Sequence, residues 1–345
     1  MKRRILAIIL LIIGITIGIM TPVLAFTPVG ASLTNGLGAN APTATPTLIP
    51  YTPTPPPKPT PVLTVVGKPP VVSAKAAYLL DASTGNTLAD VNGETPLPMA
   101  STTKIMTAYI ALQTTNLNTL ITVHQDAINE VINNFGSSAQ LHVGDTLSLK
   151  DLLYALLLPS GDDAAIVIAD GVAGSPANFV RIMNSVAFRL HLYQTHYINP
   201  DGLTYYSDQA HTIPLPENHT SAYDLVRLAH DAMQLPLFAQ IVSTVEYTLP
   251  ASATHYAYTW INTNDLLSAT ALDGIPADVY PGATGIKTGF TLEAGYCLVF
   301  SATRNGHHLI GVVLFSTNTL YHQRFRDAKA LLDWGFGLPM RVPGT

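Results

Sequence analysis

GYCLVFSATRNGHHLIGVVLFS, residues 295–316, reads as two apolar runs rich in β-branched and aromatic residues, separated by a short polar break. The runs Gly295 to Ala302 and Leu309 to Ser316 have the length of strands. Between them, Asn305-Gly306 supplies the positive backbone angles that a tight hairpin turn needs. Far upstream, Ala76-Ala77-Tyr78-Leu79-Leu80 is a similar run, stopped by a turn cluster from Asp81 to Asn86, so strand, turn and strand are expected there. Between these ends the pattern becomes helical. Helices are expected over Ile105 to Gln113 (starting near Ser101), Leu147 to Leu158, Ala164 to Val172 and Phe179 to Leu190. Ala222 to Met233 follows Ser221, with Asp224 three residues on in a capping-box-like start. A last helix is expected over about Phe325 to Trp334. Strands at both ends and helices between them predict an α/β fold, one antiparallel sheet flanked by helices with a mostly helical insert.

The chain has 345 residues, of which 48% are hydrophobic and only 11% charged, ample for a sizeable core. Formal net charge is -5, and no basic run follows the first four residues, so nucleic acid finds no electrostatic footprint. The single cysteine, Cys297, excludes an intramolecular disulfide, permits export, and reads as strand core. Lys2, Arg3 and Arg4 precede an uncharged apolar run from Ile5 to Met20 that continues weakly to Phe26. Residues 1–26 therefore describe a secretory signal, cleavable after Ala25, or a retained membrane anchor. In either case the leading positive charge keeps the N-terminus inside and places the bulk of the protein outside the cytoplasm. Residues 27–70, with Thr52-Pro53-Thr54-Pro55-Pro56-Pro57, read as an extended polyproline-like linker, and the globular domain is expected over 71–345.

Ser101-Thr102-Thr103-Lys104 puts a hydroxyl and an amine at i and i+3, neighbours on one helix face. A serine is a poor nucleophile until a base lies within hydrogen-bond reach. A desolvated lysine near other cations can be that base. The same four residues also describe a helix-capping serine followed by a solvated lysine. Ser160-Gly161-Asp162 stands at a Pro-Ser-Gly break between helices, either a turn or a loop aiming side chains into a cleft. Lys287-Thr288-Gly289 precedes the Gly295 strand; Lys287 and Thr288 should point to opposite faces, and Gly289 would let a substrate approach the backbone. The eleven histidines are scattered without a His-Glu-x-x-His spacing, and His307-His308 reads as an exposed hairpin pair, so no metal or other cofactor is implied.

The ordered triple Ser101-x-x-Lys104, Ser160-Gly161-Asp162 and Lys287-Thr288-Gly289 is that of penicillin-binding proteins and serine β-lactamases. From Val71 to Phe336 the chain resembles the low-molecular-weight D-alanyl-D-alanine carboxypeptidases. The resemblance rests on Leu80 to Gly85, Met99 to Ala108, Leu152 to Ala165, Asn199-Pro200-Asp201-Gly202-Leu203, Gly285 to Gly289, and Ala294-Gly295-Tyr296. It implies a β-lactamase/transpeptidase-like fold and acyl transfer on peptidoglycan muropeptides, with β-lactam antibiotics as covalent inhibitors. Ser101 would be the nucleophile, Lys104 its base, and Ser160 a proton relay. Lys287, Thr288 and Arg324 would receive the terminal carboxylate, and the N–H groups of Ser101 and Phe290 would form the oxyanion hole.

Asp162 departs from the family, whose second motif normally ends in asparagine. An amide donates and accepts, whereas an ionised carboxylate only accepts and would hold Lys104 protonated. A protonated Asp162, or a shifted activity, is therefore expected. No extra C-terminal β-domain or amphipathic tail is matched, so any membrane attachment is expected at Ile5 to Phe26. The rival readings are a DD-endopeptidase that cuts cross-links, a β-lactamase (for which no deacylating Glu-rich loop is visible), and a non-catalytic peptidoglycan-binding protein.

Overall fold

Strands from the two ends of the domain meet in the middle of one sheet. Strand β2 (Ala76–Asp81) lies between β3 (Asn86–Val91) and β12 (His307–Leu314), and β12 continues through β11 (Gly295–Arg304) to the edge strand β10 (Ala283–Thr291). Every pairing is antiparallel. The computed structural model describes residues 61–208, 210–267 and 278–342, all within the unit Lys58–Thr345. The signal or anchor at 1–26, and the linker as far as residue 60, lie outside the described residues.

Asn305 and Gly306 form the expected turn with φ of 52° and 81°, and Arg304 pairs with His307 across it. A two-residue turn leaves His307 and His308 inside β12. They are therefore half-buried rather than an exposed pair, and His307 Nδ1 lies 3.3 Å from Oδ2 of buried Asp81. Alternation then sorts the side chains. Leu298, Phe300 and Ala302 of β11, with Leu309 and Val313 of β12, face Phe325, Ala328, Leu331 and Leu332 of helix α8 (Gln323–Phe336). Cys297, Val299, Ile310, Val312 and Leu314 face the other way, onto a larger core that includes α6 (Ala222–Met233). Burial pushes the Cys297 thiol up to about 11, so it packs as core.

The insert is helical as expected, with α1 (Lys104–Thr114), α3 (Leu149–Leu157), α4 (Asp162–Ala173) and α5 (Pro176–Arg189) beside α6, and with two helices not anticipated, α2 (Gln125–Asn134) and α7 (Pro236–Ser243). Three other details differ from the sequence expectation. The helix placed from Leu147 begins at Leu149, because β6 (Thr146–Ser148) pairs with β5 (Leu120–Thr122) and Ser148 Oγ accepts from Asp151 N–H. The hairpin β8 (Glu246–Leu249) to β9 (Tyr258–Ile261) and the short pair β4 (Leu97–Pro98) with β7 (His219–Thr220) were not anticipated. The fold also begins before Val71: β1 (Val62–Leu63) pairs with β13 (Met340–Arg341), and Leu63 is buried on the α8 side. Two residues beside prolines show no alternation to read. Among the described residues no helix is long and apolar enough to cross a membrane.

Gly311 of β12 stands opposite Phe300 of β11, and a Cβ there would lie 2.2 Å from the Phe300 ring. The ring is fully buried and cannot swing clear. Gly311→Ala should lower stability by about 1–3 kcal/mol through overpacking. Chemical denaturation measures this, and a stability unchanged from wild type would contradict the packing described.

Candidate active site

Ser101 sits in a 3₁₀ turn, Ala100–Thr103, one turn ahead of α1 rather than in the helix itself. Lys104 is the first residue of α1 and is completely buried. Its Nζ lies 2.9 Å from Ser101 Oγ, 2.5 Å from Asp162 Oδ1 and 2.8 Å from the backbone oxygen of Asp201. An ammonium has three N–H donors, and here each has an acceptor.

Asp162 opens α4 just after Pro159-Ser160-Gly161. Ser160 has φ of 68°, a left-handed conformation that a non-glycine residue holds at some strain, and its buried Oγ has no hydrogen-bond partner. The next carboxylate, Asp163, anchors the facing segment: its oxygens accept from the N–H groups of Ala139 and Leu141 and from Ser138 Oγ. The Asp201 loop is held as tightly. Asn199 Oδ1 accepts from Gly202 N–H, Asn199 Nδ2 donates to the Leu203 carbonyl, and Asn218 Nδ2 donates to both Asn199 Oδ1 and Thr103 Oγ1. Gly202 has φ of 94°, and a Cβ there would fall 2.0 Å from the Ala100 carbonyl oxygen. Only glycine lets this loop close on the turn that carries Ser101.

Buried acids gather around the lysine. Burial pushes the Asp162 carboxyl up to about 7; Lys104 pulls against this, and Asp201 adds to the rise. Asp201 is likewise raised to about 7, by burial first and then by the charge of Glu130 on α2. Glu130 is itself raised, again mainly by burial, with Asp162 adding to it. On the other side stands Lys287, 1% exposed, its Nζ without a hydrogen-bond partner. Burial lowers its pKa, and the cations Lys104 and Arg324 lower it further.

An open cleft of about 570 Å³ exposes part of this constellation, lined among others by Ser101, Ser160, Thr288, Gly289, Phe290 and Arg324. Lys287 is not on its wall; it faces the sheet side opposite to Thr288, as strand alternation requires. This is the opposite facing expected of Lys287 and Thr288 on a strand. Gly289 differs in emphasis. A Cβ on it would lie 3.1 Å from the Met99 carbonyl and 3.2 Å from the Thr102 nitrogen, so its bareness lets β10 lie against the Ser101 turn. Arg324 Nη1 donates to the Gly289 carbonyl at 3.2 Å, and its guanidinium is 4.4 Å from the centre of the Tyr321 ring.

A family model described as D-alanyl-D-alanine carboxypeptidase, peptidase S11, matches residues 64–318. The chain belongs to the D-alanyl-D-alanine carboxypeptidase family. That makes it a serine-type hydrolase acting on peptidoglycan stem peptides. It is 37% identical over 281 residues to a D-alanyl-D-alanine carboxypeptidase of Streptomyces sp. strain K15, covering 78% of this chain and 89% of the relative. It is 31% identical to a D-alanyl-D-alanine endopeptidase of Pseudomonas aeruginosa, over 76% of this chain and 77% of that one. The crystal structure of the Streptomyces K15 DD-transpeptidase superposes with a TM-score of 0.68 at 36% identity, covering 79% of this chain and all of that one. Some carboxypeptidase relatives are longer, and the chain spans 62–64% of their length.

Within this carboxypeptidase framework, three features were not legible as site components. The Lys104 acceptor on Asp201 is a backbone atom; Glu130 is one acid on an amphipathic helix; Asn218 acts through other side chains. Asp162 has a thermodynamic signature. Its folded value, about 7, stands above the ordinary 3.8, so its protonation stabilises the folded state at low pH, and that contribution is lost as pH rises through about 7. The stability of wild type should therefore fall, relative to Asp162→Asn, between about pH 4 and pH 7. Parallel denaturation curves across that range would contradict the raised value.

Proposed function

We propose that the chain is an extracytoplasmic carboxypeptidase that removes the terminal D-alanine of stem peptides through an acyl-enzyme on Ser101. The observation that carries this is the triple coordination of Lys104 Nζ by Ser101 Oγ, Asp162 Oδ1 and the Asp201 carbonyl. A neutral amine has two N–H donors and one lone pair. With the donors on Asp162 and Asp201, the lone pair faces the Ser101 hydroxyl and can take its proton. Asp162 can hold the displaced proton on Oδ2, which is buried and has no hydrogen-bond partner. A carboxylate where the family has asparagine thus need not lock Lys104 as a cation.

Ser101 Oγ attacks the carbonyl between the last two D-alanines, and Lys104 takes the hydroxyl proton. As the C–N bond breaks, a proton passes through Ser160 Oγ to the departing amine. The N–H groups of Ser101 and Phe290 hold the oxyanion, where losing one such donor costs about 10²–10³ in rate. Thr288 and Arg324 receive the terminal carboxylate, with the Lys287 amine beside that end of the site. Water then cleaves the ester and restores Ser101. The Lys2-Arg3-Arg4 start and the apolar run behind it support export, with the segment cleaved or kept as the anchor. The endopeptidase name of one relative supports cross-link cleavage as a second activity of the same site.

Labelled penicillin should mark the wild type and not Ser101→Ala, and only the wild type should release D-alanine from a pentapeptide. A protein that takes up no penicillin label would favour a non-catalytic binding role, and rapid nitrocefin turnover a β-lactamase. Replacing Asp162 by Asn should shift the pH–rate profile, because the group titrating near the base is gone. Superimposable profiles would show that Asp162 takes no part in the proton balance.

A further inference from the structure

Phe135 stands where a bulky side chain costs most and gains least. It caps the C-terminal end of α2 in the left-handed conformation, φ 53° and ψ 39°, a place where helices ordinarily carry glycine or asparagine. An aromatic residue there is a backbone outlier, held only because its surroundings over-determine it. Burial does not compensate, because Phe135 is 83% exposed. The chain on either side leaves it no latitude. The N–H groups of Phe135 and Gly136 both donate to the Val131 carbonyl, and the Ser137 carbonyl accepts from Asp162 N–H at 2.8 Å. A Cβ on Gly136 would lie 2.6 Å from Asp162 Oδ2 and 3.1 Å from Leu203 Cδ1. The segment is thus pressed onto Asp162, while Phe135 and Leu203 are left on the wall of the active-site cleft. Strain without burial, on that wall, is what a side chain shows when its apolar partner is something bound.

Its contacts show which end of the cleft it serves. The Phe135 ring meets His211 edge to face, with centres 5.1 Å apart at 77°, and His211 stacks on Tyr206 at 5.0 Å. The Tyr206 hydroxyl then donates to Glu293 Oε1 at 2.8 Å. Glu293 lies in the turn that follows β10, so this chain of contacts reaches the sheet beyond Phe290. Thr288, tied to Thr263 at 2.6 Å, lies the other way along the strand. In the reading proposed above, on which this inference rests, the terminal carboxylate of the substrate lies at Thr288 and the scissile carbonyl oxygen at the Phe290 N–H. The part of the substrate on the amino side of that carbonyl therefore leads past Phe290 towards the aromatic wall. The residue just before the two D-alanines, a diamino acid in peptidoglycan, carries a long aliphatic chain that can lie on an exposed ring. We propose that Phe135, with Leu203 beside it, is the specificity-determining surface for the side chain of the residue that precedes the two D-alanines. Laying that chain across the ring removes apolar area of both from water, which the free protein leaves exposed. A short side chain at the same place would not reach it.

The test compares two acetylated peptides, lysyl-D-alanyl-D-alanine and alanyl-D-alanyl-D-alanine, by release of D-alanine from wild type, Phe135→Ala, Phe135→Gly and Phe135→Tyr. The ratio of kcat/KM, lysyl over alanyl, should fall about tenfold in the Ala and Gly variants and stay within about twofold of wild type in the Tyr variant, which keeps the ring. Phe135→Gly should also unfold at no lower denaturant concentration than wild type, because glycine takes the left-handed angle without strain. An unchanged ratio in the Ala and Gly variants overturns the assignment and leaves the carboxypeptidase reading standing. So does a Phe135→Gly protein clearly less stable than wild type, which would make the ring a structural element. Wild type inert to both peptides and unmarked by labelled penicillin removes both readings.

Discussion

A single ammonium group ties this structure together. Lys104 Nζ joins the turn carrying Ser101, the start of α4 at Asp162 and the loop at Asp201, three segments far apart in sequence. Both members of the Lys104–Asp162 pair are fully removed from solvent. Keeping both groups charged away from water would cost several kcal/mol per ion, which is why burial raises the Asp162 carboxyl despite the neighbouring lysine. Removing one partner would leave the other's buried polar atoms without a hydrogen bond, a loss of about 1–3 kcal/mol. The constraint is thus both architectural and chemical: the segments that shape the cleft meet at the group that can activate the nucleophile.

Around that point the backbone is over-determined. Gly202 is forced left-handed against the Ala100 carbonyl, Ser160 holds a strained angle, and Asp163 binds the facing segment through both oxygens. These features limit motion where proton transfer needs fixed distances. The sheet contributes its edge. Strand β10 lies outermost, so Thr288, Gly289 and Phe290 can border an open cleft while Lys287 is turned inward, among the cations Lys104 and Arg324.

Much of this was legible in the sequence, for physical reasons that can be named. The runs in β2, β11 and β12 are short, apolar and bounded by turn residues, and Asn305-Gly306 dictated the hairpin. Ser221 announced α6 because its side chain caps the helix, accepting from Asp224 N–H. The serine and lysine of Ser101-x-x-Lys104 met as their spacing required. What stayed hidden depended on tertiary pairing or on backbone atoms. Val62–Leu63 becomes a strand only because Met340–Arg341 lies beside it. The carbonyl of Asp201 has no side-chain signature.

The central claim is that Asp162 holds a proton near neutral pH, so that a carboxylate beside Lys104 does not prevent it from serving as a base. Two buried acids, Asp162 and Asp201, and the half-buried Glu130 stand close together here, and burial raises each of them. Carbon-13 NMR of aspartate carboxyls measures this directly, with the Asp162 resonance assigned by its loss in Asp162→Asn. The account predicts a titration midpoint near 7 for that resonance. A midpoint at the ordinary carboxylate value of about 4 would contradict it.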